Sequence, residues 1–303
     1  MIREVPVPYS APVDGFVLAY DRFGTGEPVL LLHGWPGDRT DYRALGPALA
    51  LGSACEVIVP DLRGFGESDK HAVDPAGQYS PSAQARSVAG LIRELGLDQV
   101  LLAGYDVGSR VAQTVAAEYP DLVRALVVSP PLPGIGRRVL EPQPQREFWY
   151  QSFHQLPLAE QLIDGQPGQV RSYLAHFWGH WSGPGFALDP AYLDHLAGVY
   201  GGPGAYTASI AWYRAGSGAV ARSLAEQAPA PGDRLTLPVT VLWPEFDPLF
   251  PRAWSDRLDE FFSDLTVRPL DGAGHFTPLE APAEFAGAIH DALVATRPGG
   301  GGQ

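Results

Sequence analysis

Three residues of this 303-residue chain have the types and the order needed for a nucleophile, an orienting acid and a general base: Asp106, Asp247 and His275. Asp106 lies in AGYDVGSR (Ala103–Arg110) between Gly104 and Gly108, and glycine at both flanks lets the backbone turn sharply enough to present the carboxylate. His275 lies in the glycine-rich DGAGHFTPLEAP (Asp271–Pro282), from which an imidazole can reach Asp106 and take a proton from water. Asp247, in WPEFDPLF (Trp243–Phe250), is placed to orient that imidazole and stabilise its charged form, with Glu245 as the competing acid. A backbone N–H from LLHGWPGD (Leu31–Asp38) and that of Val107 can aim at one point and hold a developing oxyanion.

These residues need rigid elements behind them, and the apolar pattern supplies candidates. PVLLL (Pro28–Leu32), EVIVPD (Glu56–Asp61), QVLLAG (Gln99–Gly104), ALVVS (Ala125–Ser129), PVTVLW (Pro238–Trp243) and LTVRPL (Leu265–Leu270) are short continuous runs, as in strands buried on both faces. Between them, Val88, Leu91, Ile92 and Leu95 share one helical face, opened by Ser80 as N-cap and Pro81 in the first turn. Val107, Val111 and Val115 repeat that pattern after Asp106. Strand and helix in alternation predict a mostly parallel, doubly wound α/β sheet, and the order nucleophile, acid, histidine is that of the α/β-hydrolase arrangement. Asp61, in PDLRGFGES, reads as part of a hydrogen-bonded loop rather than as a third acid.

The alternation stops in an aromatic-rich stretch and resumes after the proline-rich EQAPAPGDRLTLP (Glu226–Pro238). The expected organisation is a core of residues 1–133 and 234–296, a helical cap with linker at 134–233, and a disordered tail at 297–303. With 21 basic and 34 acidic residues the formal charge is −13, which speaks against nucleic acid and anionic membrane as partners. No apolar stretch has the length of a signal peptide core or a membrane span, so a soluble cytoplasmic protein is expected. The single cysteine, Cys55, excludes an internal disulfide and reads as a buried structural residue. His176 and His180, four apart, lack a third ligand and read as packing, so neither a metal nor another cofactor is expected.

HGWPG, VIVPDLRGFGES, GYDVGS, WYRA (Trp212–Ala215) and GAGHF together resemble the α/β-hydrolase-fold epoxide hydrolases. The segments FWYQSFHQL (Phe148–Leu156) and HFWGHW (His176–Trp181) most resemble the bacterial epichlorohydrin-type members. The resemblance covers nearly the whole chain apart from the tail. It implies that two tyrosines of the cap hold the epoxide oxygen, and they fall on Tyr150 and Tyr213. Two positions depart from the family pattern: Tyr105 stands where histidine is frequent, and Pro244 where glycine is usual.

The resemblance also explains an aspartate in the turn. A serine attacking an sp³ ring carbon would leave a stable ether, whereas a carboxylate leaves an ester that water can open. Asp106 would attack, Tyr150 and Tyr213 would donate to the leaving oxygen, and the N–H groups of Trp35 and Val107 would stabilise the oxyanion formed when His275-activated water opens the ester. The product would be a vicinal diol. The expected substrate is an apolar or aromatic epoxide together with water, in a pocket lined by His33, Trp35, Trp149, Phe153 and Phe276, in a monomer or homodimer. A haloalkane or haloacid dehalogenase uses the same ester chemistry, but those families carry tryptophan or arginine directly after the nucleophile, where this chain has Val107. Arg110 reads as a structural ion-pair partner on the following helix.

Overall fold

A computed structural model describes residues 7–53 and 55–297. Of the expected tail only Arg297 falls within them; residues 298–303 lie outside the described residues. Seven strands among the described residues form one sheet: β1 (Tyr20–Gly24), β2 (Glu27–Leu32), β3 (Cys55–Pro60), β4 (Val100–Gly104), β5 (Val123–Val128), β6 (Val239–Pro244) and β7 (Leu265–Leu270). Their order across the sheet is β1-β3-β2-β4-β5-β6-β7, and every pairing is parallel except that of β1 with β3.

The central strand β4 is buried at all five positions, VLLAG, because helices cover both faces of a parallel sheet. The helices that matter here are α1 (Leu45–Gly52), α2 (Pro81–Glu94), α3 (Val107–Glu118), α4 (Trp149–His154), α5 (Pro167–Trp181), α6 (Pro190–Tyr200), α7 (Ala205–Arg214) and α8 (Pro282–Ala295). α2 packs on α3, and α1 on α8. Ser80 caps α2 by accepting the N–H of Ala83, and Pro81 occupies its first turn, where a missing N–H is no loss.

Two strand expectations need correction. β1 was not anticipated: YDRFG alternates buried and part-exposed positions along an edge, and its charged residues mask the apolar ones. β7 is not buried on both faces; it is the opposite edge, and Val267 is exposed.

Between β5 and β6 the described residues form helices and turns, α4 to α7 among them. This insertion is fastened to the loop after β2 by three side chains of α6. Tyr192 donates to Asp41, Tyr200 donates to the carbonyl of Gly37, and His195 Nε2 lies 2.7 Å from Asp38. Cys55 is buried with its thiol donating to the Leu49 carbonyl at 3.3 Å, in keeping with a structural role. No helix among the described residues is long and apolar enough to cross a membrane.

Candidate active site

The carboxyl ends of β2, β4, β6 and β7 bring the three candidate residues to one place, as open α/β sheets do with their ligand-binding loops. Asp106 follows β4 with φ +49° and ψ −122°, a conformation that side-chain-bearing residues rarely adopt and that costs about 1–3 kcal/mol. The surroundings hold it there. Its N–H donates to the Pro130 carbonyl at 3.0 Å, and the glycines around it permit contacts that no larger residue allows. A Cβ on Gly108 would stand 1.9 Å from the Leu32 carbonyl oxygen, and one on Gly34 would stand 2.6 Å from the Cβ of Asp106.

The two oxygens of Asp106 have different environments. Oδ1 accepts the N–H of Trp35 at 2.8 Å, while Oδ2 faces His275 Nε2 at 3.4 Å. His275 is fully buried, and its Nδ1 lies 2.8 Å from Asp247 Oδ2; because a carboxylate can only accept, Nδ1 carries the proton. The other oxygen of Asp247 accepts the N–H of Leu249 at 2.8 Å, so the loop beginning at Pro244 does aim Asp247 at the imidazole. Burial opposes a charge on His275, but the Asp247 and Asp106 carboxylates outweigh it and push the imidazole up to about 10. Glu245 is exposed and accepts the N–H of Gly272, which bolts one loop to the other without reaching His275.

Above Asp106 lies a small chamber. Asp106, Val107, Tyr150 and Tyr213 line it, together with Pro131, Gln151, Trp212, Ala219, Phe250, Arg110 and Ser217. Tyr150 comes from α4 and Tyr213 from α7, with ring centroids 5.5 Å apart and nearly perpendicular. Trp35 stacks on Tyr150 and meets Tyr213 edge to face, so one indole seats both phenols. Burial and the Asp106 carboxylate raise the Tyr150 phenol; burial and Tyr150 do the same to Tyr213, and both stay protonated donors.

None of the five side chains expected to line the pocket is part of the chamber wall: Trp35 packs against the two tyrosines, and the other four stand elsewhere. His33 is fully buried and spends both ring nitrogens on backbone, accepting from Leu62 N–H and donating to the Gly34 carbonyl, so it braces the loop that carries Trp35. Trp149 stacks on Phe177 at the surface, Phe153 packs between Trp149 and Tyr173, and Phe276 lies 3.6 Å from Trp178 in a closed stack. Arg110 makes no ion pair among the described residues; its Nη2 donates to the Leu132 carbonyl at 2.9 Å. His176 stacks on His180, which pairs with Glu147.

Sequence reasoning missed three supporting residues. Gln151 donates from Nε2 to the Tyr150 hydroxyl at 3.1 Å. Glu280 accepts the N–H groups of Gly183, Gly274 and Phe276, which ties the His275 loop to the end of α5. Tyr105, expected only to tune packing, donates to the buried Asp41 at 2.6 Å. Only Gln151 carried a local signal, its place beside Tyr150.

Known proteins resemble this chain at the level of sequence and fold. Over 127 residues, 42% of this chain and 42% of the relative, the chain is 37% identical to a soluble epoxide hydrolase of Corynebacterium sp. strain C12. Over 197 residues, 64% of each, it is 32% identical to a fluoroacetate dehalogenase of Burkholderia sp.. Both matches span less than two thirds of the curated relative's length. The solved structure of the epoxide hydrolase CorEH superposes with a TM-score of 0.81 at 26% identity, covering 96% of this chain and 100% of that one. The α/β-hydrolase fold profile matches residues 27–282, and the chain belongs to that family.

Proposed function

We propose that the protein is an epoxide hydrolase that opens an epoxide to a vicinal diol through an ester on Asp106. The observation that carries the reading is the shared chamber, in which two protonated tyrosines from the insertion stand with a strained carboxylate. Similarity to the Corynebacterium epoxide hydrolase supports it.

The different environments of the two carboxylate oxygens support different roles for them. Oδ2 attacks a ring carbon, the carbon–oxygen bond of the strained ring breaks, and the departing oxygen takes a proton from Tyr150 or Tyr213. Oδ1 stays on the Trp35 N–H and becomes the ester carbonyl. Alkylation removes one of the two negative charges that hold the His275 proton, so the imidazole gives up its Nε2 proton, which restores the tyrosine, and becomes a competent base in the state that needs one. Nε2 then takes a proton from water as that water attacks Cγ, and the oxyanion forms at Oδ1 against the N–H groups of Trp35 and Val107. Collapse breaks the Cγ–Oδ2 bond; Oδ2 leaves on the diol with the proton from Nε2, the water oxygen takes its place on Asp106, and the new carboxyl returns its proton to His275. We read the insertion as the cap over this site, and the acidic composition and single buried cysteine as those of a cytoplasmic protein.

Similarity to the Burkholderia fluoroacetate dehalogenase favours a second reading, displacement of halide by the same carboxylate. Against it, Val107 directly follows the nucleophile and offers no side-chain donor to a halide or carboxylate. The test is diol formation from terminal aryl and alkyl epoxides, with halide release from chloroalkanes and haloacetates followed in parallel. Diol without halide is expected; halide without diol would overturn the epoxide reading in favour of the second.

A further inference from the structure

Two hollows meet at Arg110. The inner one is the chamber over Asp106, with about 10 Å³ of free space, room for about one water molecule. The outer is a cleft of about 540 Å³, and Arg110 and Ser217 line both. Any epoxide is larger than one water and has to extend beyond the chamber, and Arg110 and Ser217 form the wall that separates it from the larger space.

The wall has unused hydrogen-bonding capacity. Arg110 stands in the first turn of α3 and, like Asp106, lines the chamber. Its Nε is buried and has no partner among the described residues, and the same is true of Ser217 Oγ and of Glu226 Oε2. Glu226 uses its other oxygen on the N–H groups of Gly134 and Gly136, at 3.1 and 2.7 Å. Polar atoms left buried without partners are rare because each forfeits its hydration. All three residues, Arg110, Ser217 and Glu226, line the outer cleft. Burial pushes the Arg110 guanidinium down to about 10, with Glu226 acting against that. The charged groups around the cleft are Arg110 and Arg222 against Glu118, Glu226 and Asp233, so it does not favour an anion.

We infer that the cleft receives the far end of the epoxide substrate and that this end bears a neutral hydroxyl or amide, accepting from Arg110 Nε and donating to Glu226 Oε2. The inference rests on the epoxide reading of Asp106 and narrows its substrate class: an uncharged epoxide with a polar tail.

The experiment compares kcat/KM for terminal epoxides of one chain length that end in hydroxyl, methyl ketone, methyl or carboxylate, with diol as the readout. The hydroxyl-ended compound is expected to lead the methyl-ended one by tenfold or more in the wild type, since a site with unpaired polar groups discriminates against a partner that cannot pair them. Arg110→Met is expected to bring that ratio close to one. Glu226→Gln turns the acceptor into an amide that can keep the glycine contacts and present a donor, so preference should move from the hydroxyl to the acceptor-only ketone. The ratio between substrates is read within each variant, and the Glu226→Gln swap keeps the test alive if Arg110→Met does not fold. Equal rates for all tails, a hydroxyl preference unmoved by both substitutions, or a preference for carboxylate would overturn the inference while leaving the epoxide reading in place. Absence of diol from every epoxide would overturn both.

Discussion

Gln151 Nε2 donates to the Tyr150 hydroxyl at 3.1 Å, and Gln151 Oε1 is itself held by the N–H of Val220 at 3.1 Å. The second bond fixes which end of the amide faces the phenol. Tyr150 therefore accepts from Gln151, which leaves its own proton free to point into the chamber. Gln151→Leu removes this orientation without removing the phenol, and one hydrogen bond contributes about 1 kcal/mol, or roughly fivefold in rate. Ester formation on Asp106 is expected to slow by about that factor while ester hydrolysis, which does not use Tyr150, keeps its rate. Rapid-quench measurement of both steps checks this; equal slowing of the two would show a general packing defect instead.

His275 offers a titration test of the same machinery. Its imidazole is held at about 10 by the carboxylates of Asp247 and Asp106 against the effect of burial. Asp106→Asn mimics the uncharged ester, so the imidazole in that variant is expected to titrate at lower pH than in the wild type. The raised value also has a stability consequence with a definite sign. Stabilisation by the charged imidazole is fully present below the ordinary value of 6.5 and is lost as pH rises through about 10. Asp106→Asn should narrow that window from above. Nuclear magnetic resonance of the imidazole protons reads it directly, and an unchanged midpoint would mean that Asp106 does not hold the proton.

How much of this was legible follows from the range of each interaction. Asp106, Asp247 and His275 each sit in a short glycine- or proline-marked segment just after an apolar run, so strand and turn patterns were enough to gather them at one sheet edge. The insertion was harder. In the short helix α4 successive side chains point about 100° apart, so of the neighbours Trp149 and Tyr150 one faces the surface and the other the chamber, and aromatic composition does not say which. The supporting residues were silent for another reason. Tyr105 finds Asp41 across 64 positions and Tyr192 finds it across 151, and such pairings leave no periodic trace in the chain.

Glu280 shows what those silent residues contribute. Its Oε2 accepts from Gly183 and Gly274, both at 2.7 Å, and its Oε1 accepts from Phe276 at 2.9 Å. Gly274 has to be glycine for this, because a Cβ there would stand 2.3 Å from the Gly183 nitrogen. Glu280→Ala strands three N–H groups at the junction of the His275 loop with α5. Hydrogen bonds to a charged acceptor are worth about 1.5–3 kcal/mol each and are not additive, so a loss of about 3 kcal/mol is expected by urea denaturation. Because the loop carries the base, hydrolysis of the Asp106 ester should suffer more than its formation. A variant with wild-type stability and kinetics would show that the loop holds itself.

Asp41 links the turn of Asp106 to the insertion and should do so in a pH-dependent way. Burial, with the neighbouring Asp38 carboxylate adding to it, raises its carboxyl from 3.8 to about 8, while hydrogen bonds from Tyr105 and Tyr192 and the charge of Arg43 act in the opposite direction. A carboxyl raised in the folded state is easier to bury protonated, so its presence weakens folding progressively between about 4 and about 8 and at full strength above that. Asp41→Asn has no proton to lose, and its amide can still accept from one tyrosine and donate to the other. The wild type is therefore expected to lose stability relative to Asp41→Asn as pH rises through that range, even if the substitution is costly at acid pH. The signature is in the slope. Groups that do not sense Asp41 are shared by both proteins and cancel in the difference, so urea midpoints at a series of pH values isolate Asp41 together with Asp38, to which it is coupled. A gap between the two that stays constant from pH 4 to pH 8 would mean that Asp41 is ionised throughout, held by its two phenols despite its burial.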